Sequence, residues 1–107
     1  MDKNQYLKSE INFRQGKFYV SLEKHEKALP YFIKALEIDP DHSFYLAYTG
    51  LCYYTKKEFE KSLDYINKAI LTSTDIDYPE GGYQKHLKQL RDFQESCIKH
   101  LEMNDWR

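Results

Sequence analysis

The chain is poor in the residues that staple, break or anchor a fold. It has two cysteines, three prolines and four glycines in 107 residues. Cys52 and Cys97 lie far apart and match no CxxC or other metal-ligand spacing. A chain of this length folds without covalent cross-links, so both are expected as small buried apolar residues. The longest unbroken apolar run is Phe44–Tyr48, far short of the ~20 residues that cross a bilayer. Met1–Gln5 is polar and leads into no apolar stretch, so no secretory leader is expected. Neither sign of charge prevails: 16 Lys and Arg stand against 17 Asp and Glu, for a net charge of −1. Bulk attraction to phosphate or anionic lipid is therefore absent, and neither a nucleic acid nor a membrane is an expected partner. The expected setting is cytoplasmic.

Catalytic and metal-binding patterns are missing as well. There is no HExxH, no GxSxG and no glycine-rich phosphate loop, and Gly81-Gly82 reads as part of a loop. The histidines at 25, 42, 86 and 100 have no paired-ligand spacing. His86 and His100 can share a face of one helix, too many turns apart for a common metal. No enzyme activity, metal or cofactor is expected.

What is present is a globular composition, 41% hydrophobic and 16% aromatic, sufficient for one domain over residues 1–107. The dominant feature is an internal repeat. Sliding the chain by 34 positions aligns Gly16 with Gly50, Tyr19 with Tyr53, Glu26 with Glu60, Lys27 with Lys61, Leu29 with Leu63, Tyr31 with Tyr65, Lys34 with Lys68 and Ala35 with Ala69. Ala28, Phe32 and Ala35 have the spacing of one helical face. In each unit a glycine allows close helix approach and an aromatic fills space one turn on. The unit is a helix, a short turn and a second helix, which cannot bury its apolar face without stacking on a neighbour.

These residues resemble the tetratricopeptide repeat family, whose 34-residue unit is patterned W-x2-L-G-x2-Y, then A-x3-F, A and P. Residues 9–42 supply Gly16, Tyr19, Ala28, Phe32, Ala35 and Pro40 at the family positions, with Asn12 and Gln15 replacing Trp and Leu. Residues 43–76 supply Gly50, Tyr53 and Ala69, with Leu46, Ser62 and Ile66 as milder substitutes and Thr74 at the proline position. The resemblance implies an all-α, right-handed solenoid of helical hairpins: repeat one at 9–42, repeat two at 43–76, then a long C-terminal capping helix.

Helices are expected at 3–21, 25–38, 43–56, 59–72 and 80–103, with a loop at 73–82. Asp39-Pro40-Asp41 stops the second helix, and Ser43 is the expected N-cap of the third. Pro30 predicts a late start or a slight bend in the second helix. On the fifth, Leu87, Leu90, Phe93, Cys97, Ile98 and Leu101 form an apolar stripe, and Lys85, Lys88, Arg91, Asp92, Glu95 and Lys99 form the outer face.

In the family, the first helix of each unit lines a concave groove that receives a peptide or helix. Carried onto this chain, the resemblance implies groove positions Glu10, Phe13, Lys17, Val20 and Ser21, then Phe44, Ala47, Leu51, Tyr54 and Thr55. Phe13, Val20, Phe44, Leu51 and Tyr54 give an apolar, aromatic trough, with Lys17 and Glu10 as polar points. The family's clamp for a terminal carboxylate is not reproduced, because its positions hold Phe13, Lys17, Tyr48, Tyr78 and Gly82. The expected function is an adaptor that binds a partner protein's apolar or helical segment. The alternative is a self-associating scaffold whose trough is filled by its own or a neighbouring chain.

Overall fold

A computed structural model describes residues 1–73 and 82–105. Five helices follow one another: α1 (Lys3–Ser21), α2 (His25–Ile38), α3 (Ser43–Thr55), α4 (Phe59–Thr72) and α5 (Gly82–Asp105). Helix α1 packs on α2, α3 on α4, α2 on α3 and α5 on α4, so contacts run between sequence neighbours as in a stack of hairpins. The molecule measures 49 × 31 × 22 Å along its principal axes. The interior of the expected loop, 74–81, lies outside the described residues, as do Thr74 and Tyr78.

Helix α1 begins for a local reason. Asp2 caps α1 through a reciprocal box: its carboxylate accepts from the Gln5 amide at 2.8 Å, and the Gln5 side chain accepts from the Asp2 amide at 3.3 Å. Ser43 does not cap α3. His42 occupies the cap position, and Ser43 is the first helical residue. Its hydroxyl instead donates to the Ala69 carbonyl of α4 at 2.9 Å, so a residue expected to serve its own helix ties two helices together. Pro30 does not delay α2, which starts at His25 and runs through the proline. The carbonyl it deprives of a donor belongs to Glu26, an exposed residue of the first turn, where solvent offsets the loss.

Two apolar clusters fill the stack. The first joins Phe13, Ala28, Phe32, Ala35, Tyr45 and Cys52; the second joins Leu46, Ile66, Ala69 and Leu90. The glycines sit where helices approach most closely. A methyl group at Gly16 would stand 2.5–2.8 Å from the Phe32 ring, and one at Gly50 would stand 2.9 Å from the end of the Ile66 side chain. The repeat also reproduces its aromatic pairs. Tyr19 stacks on Tyr31 at 5.6 Å, and their counterparts Tyr53 and Tyr65 stack at 5.4 Å.

Cys52 and Cys97 are free, buried thiols. Burial pushes the Cys52 thiol up to about 12, and burial raises Cys97 too, partly opposed by its contact with Ser62. On α5 the buried stripe differs from the expected one. Leu90 and Cys97 are buried as expected and His86 joins them, whereas Ile98 is 40% exposed. A helix turns 100° per residue, so 97 and 98 cannot both sit at the centre of one face, and Cys97 holds it. Lys85, Lys88, Arg91, Asp92, Glu95 and Lys99 are all exposed.

Candidate functional site

Between α3 and α5 the stack leaves an apolar cleft of about 230 Å³. Phe44, Ala47, Tyr48 and Leu51 of α3 form one wall, and His86, Gln89, Leu90 and Phe93 of α5 form the other, with Ile66 of α4 between them. The α3 residues recur at the three- and four-residue spacing that brings side chains to one face. The volume falls below the ~300–1,000 Å³ of small-molecule pockets, a size suited to a few anchoring side chains.

Polar ties hold the two walls in place along the length of α5. Near its start, the His86 ring nitrogen Nε2 lies 3.2 Å from Ser43 Oγ. The single Ser43 proton is engaged by the Ala69 carbonyl, so Nε2 carries the proton and donates. Gln94 donates to Asn67 of α4 at 2.7 Å. Farther along, Tyr54 Oη meets Ser96 Oγ at 2.6 Å and His100 Nε2 at 3.1 Å. The His100 ring also stacks flat on Phe59 at 4.2 Å. Cys97 donates to Ser62 Oγ at 3.5 Å, and Ser62 donates to the Gly50 carbonyl at 2.7 Å, a relay from α5 through α4 to α3. Burial holds His86 below its ordinary pKa, which favours the neutral ring.

The residues read from the sequence as one trough are divided between two places. Phe44 and Leu51 line the cleft. Tyr54 stands at its far end, engaged by Ser96 and His100. Phe13 is only 7% exposed and packs against Tyr45 at 4.7 Å and Tyr48 at 5.3 Å, so it offers a partner little surface. Val20 is half-buried against the same cluster, and the Lys17 ammonium sits 4.8 Å over the Phe13 ring. Glu10 accepts a hydrogen bond from the Tyr45 hydroxyl at 2.6 Å. Ala47 belongs to the cleft, whereas the Ser21 and Thr55 hydroxyls bond back to their own helices.

The α5 wall was missing from the sequence-derived site. Leu90 and Phe93 were visible as an apolar stripe, but a stripe does not tell which neighbouring helix it borders. Tyr48 carries both roles, touching Phe13 and Phe32 on one side and lining the cleft on the other.

Paired antiparallel helices stacked in series, with a groove along one row of them, define a helical-repeat protein. Residues 9–42 match the family model of the tetratricopeptide repeat. Residues 9–42 are thus similar to a tetratricopeptide repeat, and the second hairpin repeats the stacked tyrosines and close-packed glycine of the first. No curated protein matches the chain significantly. Repeats of this family generally mediate protein–protein interaction.

Proposed function

We propose that this protein is an adaptor that binds an apolar or helical segment of another protein in the α3–α5 cleft. The observation that carries this reading is the cleft itself. Phe44, Leu51, Leu90 and Phe93 converge there from two helices joined by polar ties at either end. Concave apolar surface on a well-packed scaffold is the ordinary form of a binding site. A peptide library selected on the wild-type protein tests it. Binders carrying apolar anchors should be enriched and should lose binding to Leu51→Glu, whose helical circular dichroism stays unchanged because Leu51 is half-exposed. A library that yields no binder, or binders indifferent to Leu51→Glu, overturns the assignment.

A second reading is favoured by the same geometry: α5 already supplies one wall of the trough, so part of it is filled by the protein's own chain. If a neighbouring chain fills the rest, the protein is a scaffold that self-associates, and light scattering across a dilution series would show a mass rising with concentration.

A further inference from the structure

Helix α1 has two apolar faces. Ser9, Phe13 and Gly16 are buried on one. At 100° per residue, Leu7, Ile11 and Phe18 fall on the opposite side, continued by the C-cap residue Leu22, and the four are 46%, 59%, 55% and 49% exposed. A helix at the edge of a stack needs one apolar stripe, and this one carries a second stripe about four turns long that no described element covers.

Three cations border that stripe within α1. Lys3 and Arg14 lie on one flank and Lys8 on the other, and among the described residues none of the three forms an ion pair. The only carboxylate of α1, Glu10, accepts from Tyr45. Arg14 and Gln15 also border a shallow depression with Phe18, midway along the stripe.

We propose that this outer face of α1 docks an acidic amphipathic helix of a partner protein. Its apolar residues would lie along Leu7, Ile11, Phe18 and Leu22, and its carboxylates would meet Lys3, Lys8 and Arg14. This surface is separate from the α3–α5 cleft. A second copy of the chain fits it less well. Packing α1 on α1 sets cation against cation, and the exposed face of α5 offers only Ile98 and Met103 as large apolar groups. A lipid surface also fits less well, because the chain's net charge of −1 supplies no bulk attraction to anionic lipid.

The test uses a labelled peptide of about four helical turns, with leucines at i, i+3, i+4 and i+7 flanked by glutamates, and a twin with lysine for every glutamate. Fluorescence anisotropy should show the glutamate peptide binding the full chain and the lysine twin failing to bind. Phe18→Glu, and independently Arg14→Glu, should each weaken binding by at least about tenfold, and added salt should weaken it further. Leu71→Glu, at an 83% exposed position outside both surfaces, should leave it unchanged. Equal binding of both peptides, or binding lost with Leu51→Glu and kept with Phe18→Glu, overturns the proposal. So does binding to phosphatidylserine vesicles without binding to the glutamate peptide, or a concentration-dependent mass abolished by Phe18→Glu in a protein that ignores the peptide.

Discussion

Glu23 and Lys57, 34 positions apart, hold the same left-handed backbone conformation, with φ of 58° and 63°. Each sits just past the end of the first helix of its hairpin, in a turn closed by the same two bonds. In the first, Lys24 N–H donates to the Tyr19 carbonyl at 2.8 Å and Glu23 N–H to Val20 at 2.9 Å; in the second, Glu58 donates to Tyr53 at 3.0 Å and Lys57 to Tyr54 at 2.9 Å. This is the Schellman arrangement, whose left-handed position favours glycine. A side chain there costs about 1–2 kcal/mol, and glycine gives part of that back through the unfolded chain. Glu23→Gly and Lys57→Gly should therefore each stabilise the protein by about 0.5–1 kcal/mol. Sharing no partners, the two gains should add, as measured by urea or thermal unfolding.

The two repeat glycines should respond unequally to alanine. Alanine gains about 1 kcal/mol of helix propensity over glycine. At Gly16 the new methyl would meet three atoms of the Phe32 ring at 2.5–2.8 Å. That ring is fully buried and hemmed in by Phe13 at 5.8 Å and Tyr48 at 5.4 Å. Overpacking of about 1–3 kcal/mol should outweigh the propensity gain, so Gly16→Ala destabilises. At Gly50 the nearest atom is the end of the Ile66 side chain at 2.9 Å, with the Ser62 carbonyl oxygen at 3.3 Å, a looser fit than at Gly16. Gly50→Ala should cost less than Gly16→Ala, and a ranking in the opposite order would place the tight crossing elsewhere.

These glycines and turns show why the fold was legible. Hairpin packing imposes its 34-residue period on the sequence, and the expected bounds 3–21, 25–38 and 59–72 coincide with α1, α2 and α4. What escaped reading depended on contacts between helices. Ser43 has the side chain of a cap, but its hydroxyl reaches an α4 carbonyl 26 residues away. Tyr45 is 1% exposed at the centre of the first cluster, yet the apolar run Phe44–Tyr48 has no alternation to mark which residue turns inward. The trough on α1 and α3 followed from the family resemblance. Its division, with Phe13 taken into the core and Leu90 and Phe93 added from α5, depends on where α5 settles, which no local pattern states.

Tyr45 also predicts an energetic coupling between the repeats. Burial and the Glu10 carboxylate both raise its hydroxyl pKa, so it stays protonated and donates. The acceptor is Glu10 at 2.6 Å, with Ser9 Oγ at 3.2 Å. A hydrogen bond to a charged group contributes about 1.5–3 kcal/mol. Tyr45→Phe should cost an amount in that range, and Glu10→Gln should cost less because an amide oxygen still accepts. In a double-mutant cycle the losses should be non-additive. Additive losses would mean that Glu10 and Tyr45 do not act as a pair.

The docking of α5 should weaken in acid through His86. Its pKa is lowered from 6.5 by burial, so between the folded and unfolded values the unfolded chain binds more protons. Stability is therefore greatest above about pH 6.5 and falls as the pH drops toward the folded value. The neutral ring donates from Nε2 to Ser43 Oγ and lies against Phe44 at 4.5 Å. Protonation keeps that donor but adds a charge to a site only 8% exposed, lined there by a phenyl ring. His86→Gln retains an N–H donor and removes the titration. The wild-type unfolding free energy should fall between pH 7.5 and pH 5 more steeply than that of His86→Gln. Parallel pH profiles for the two proteins would show that His86 does not couple the α5 contact to acid.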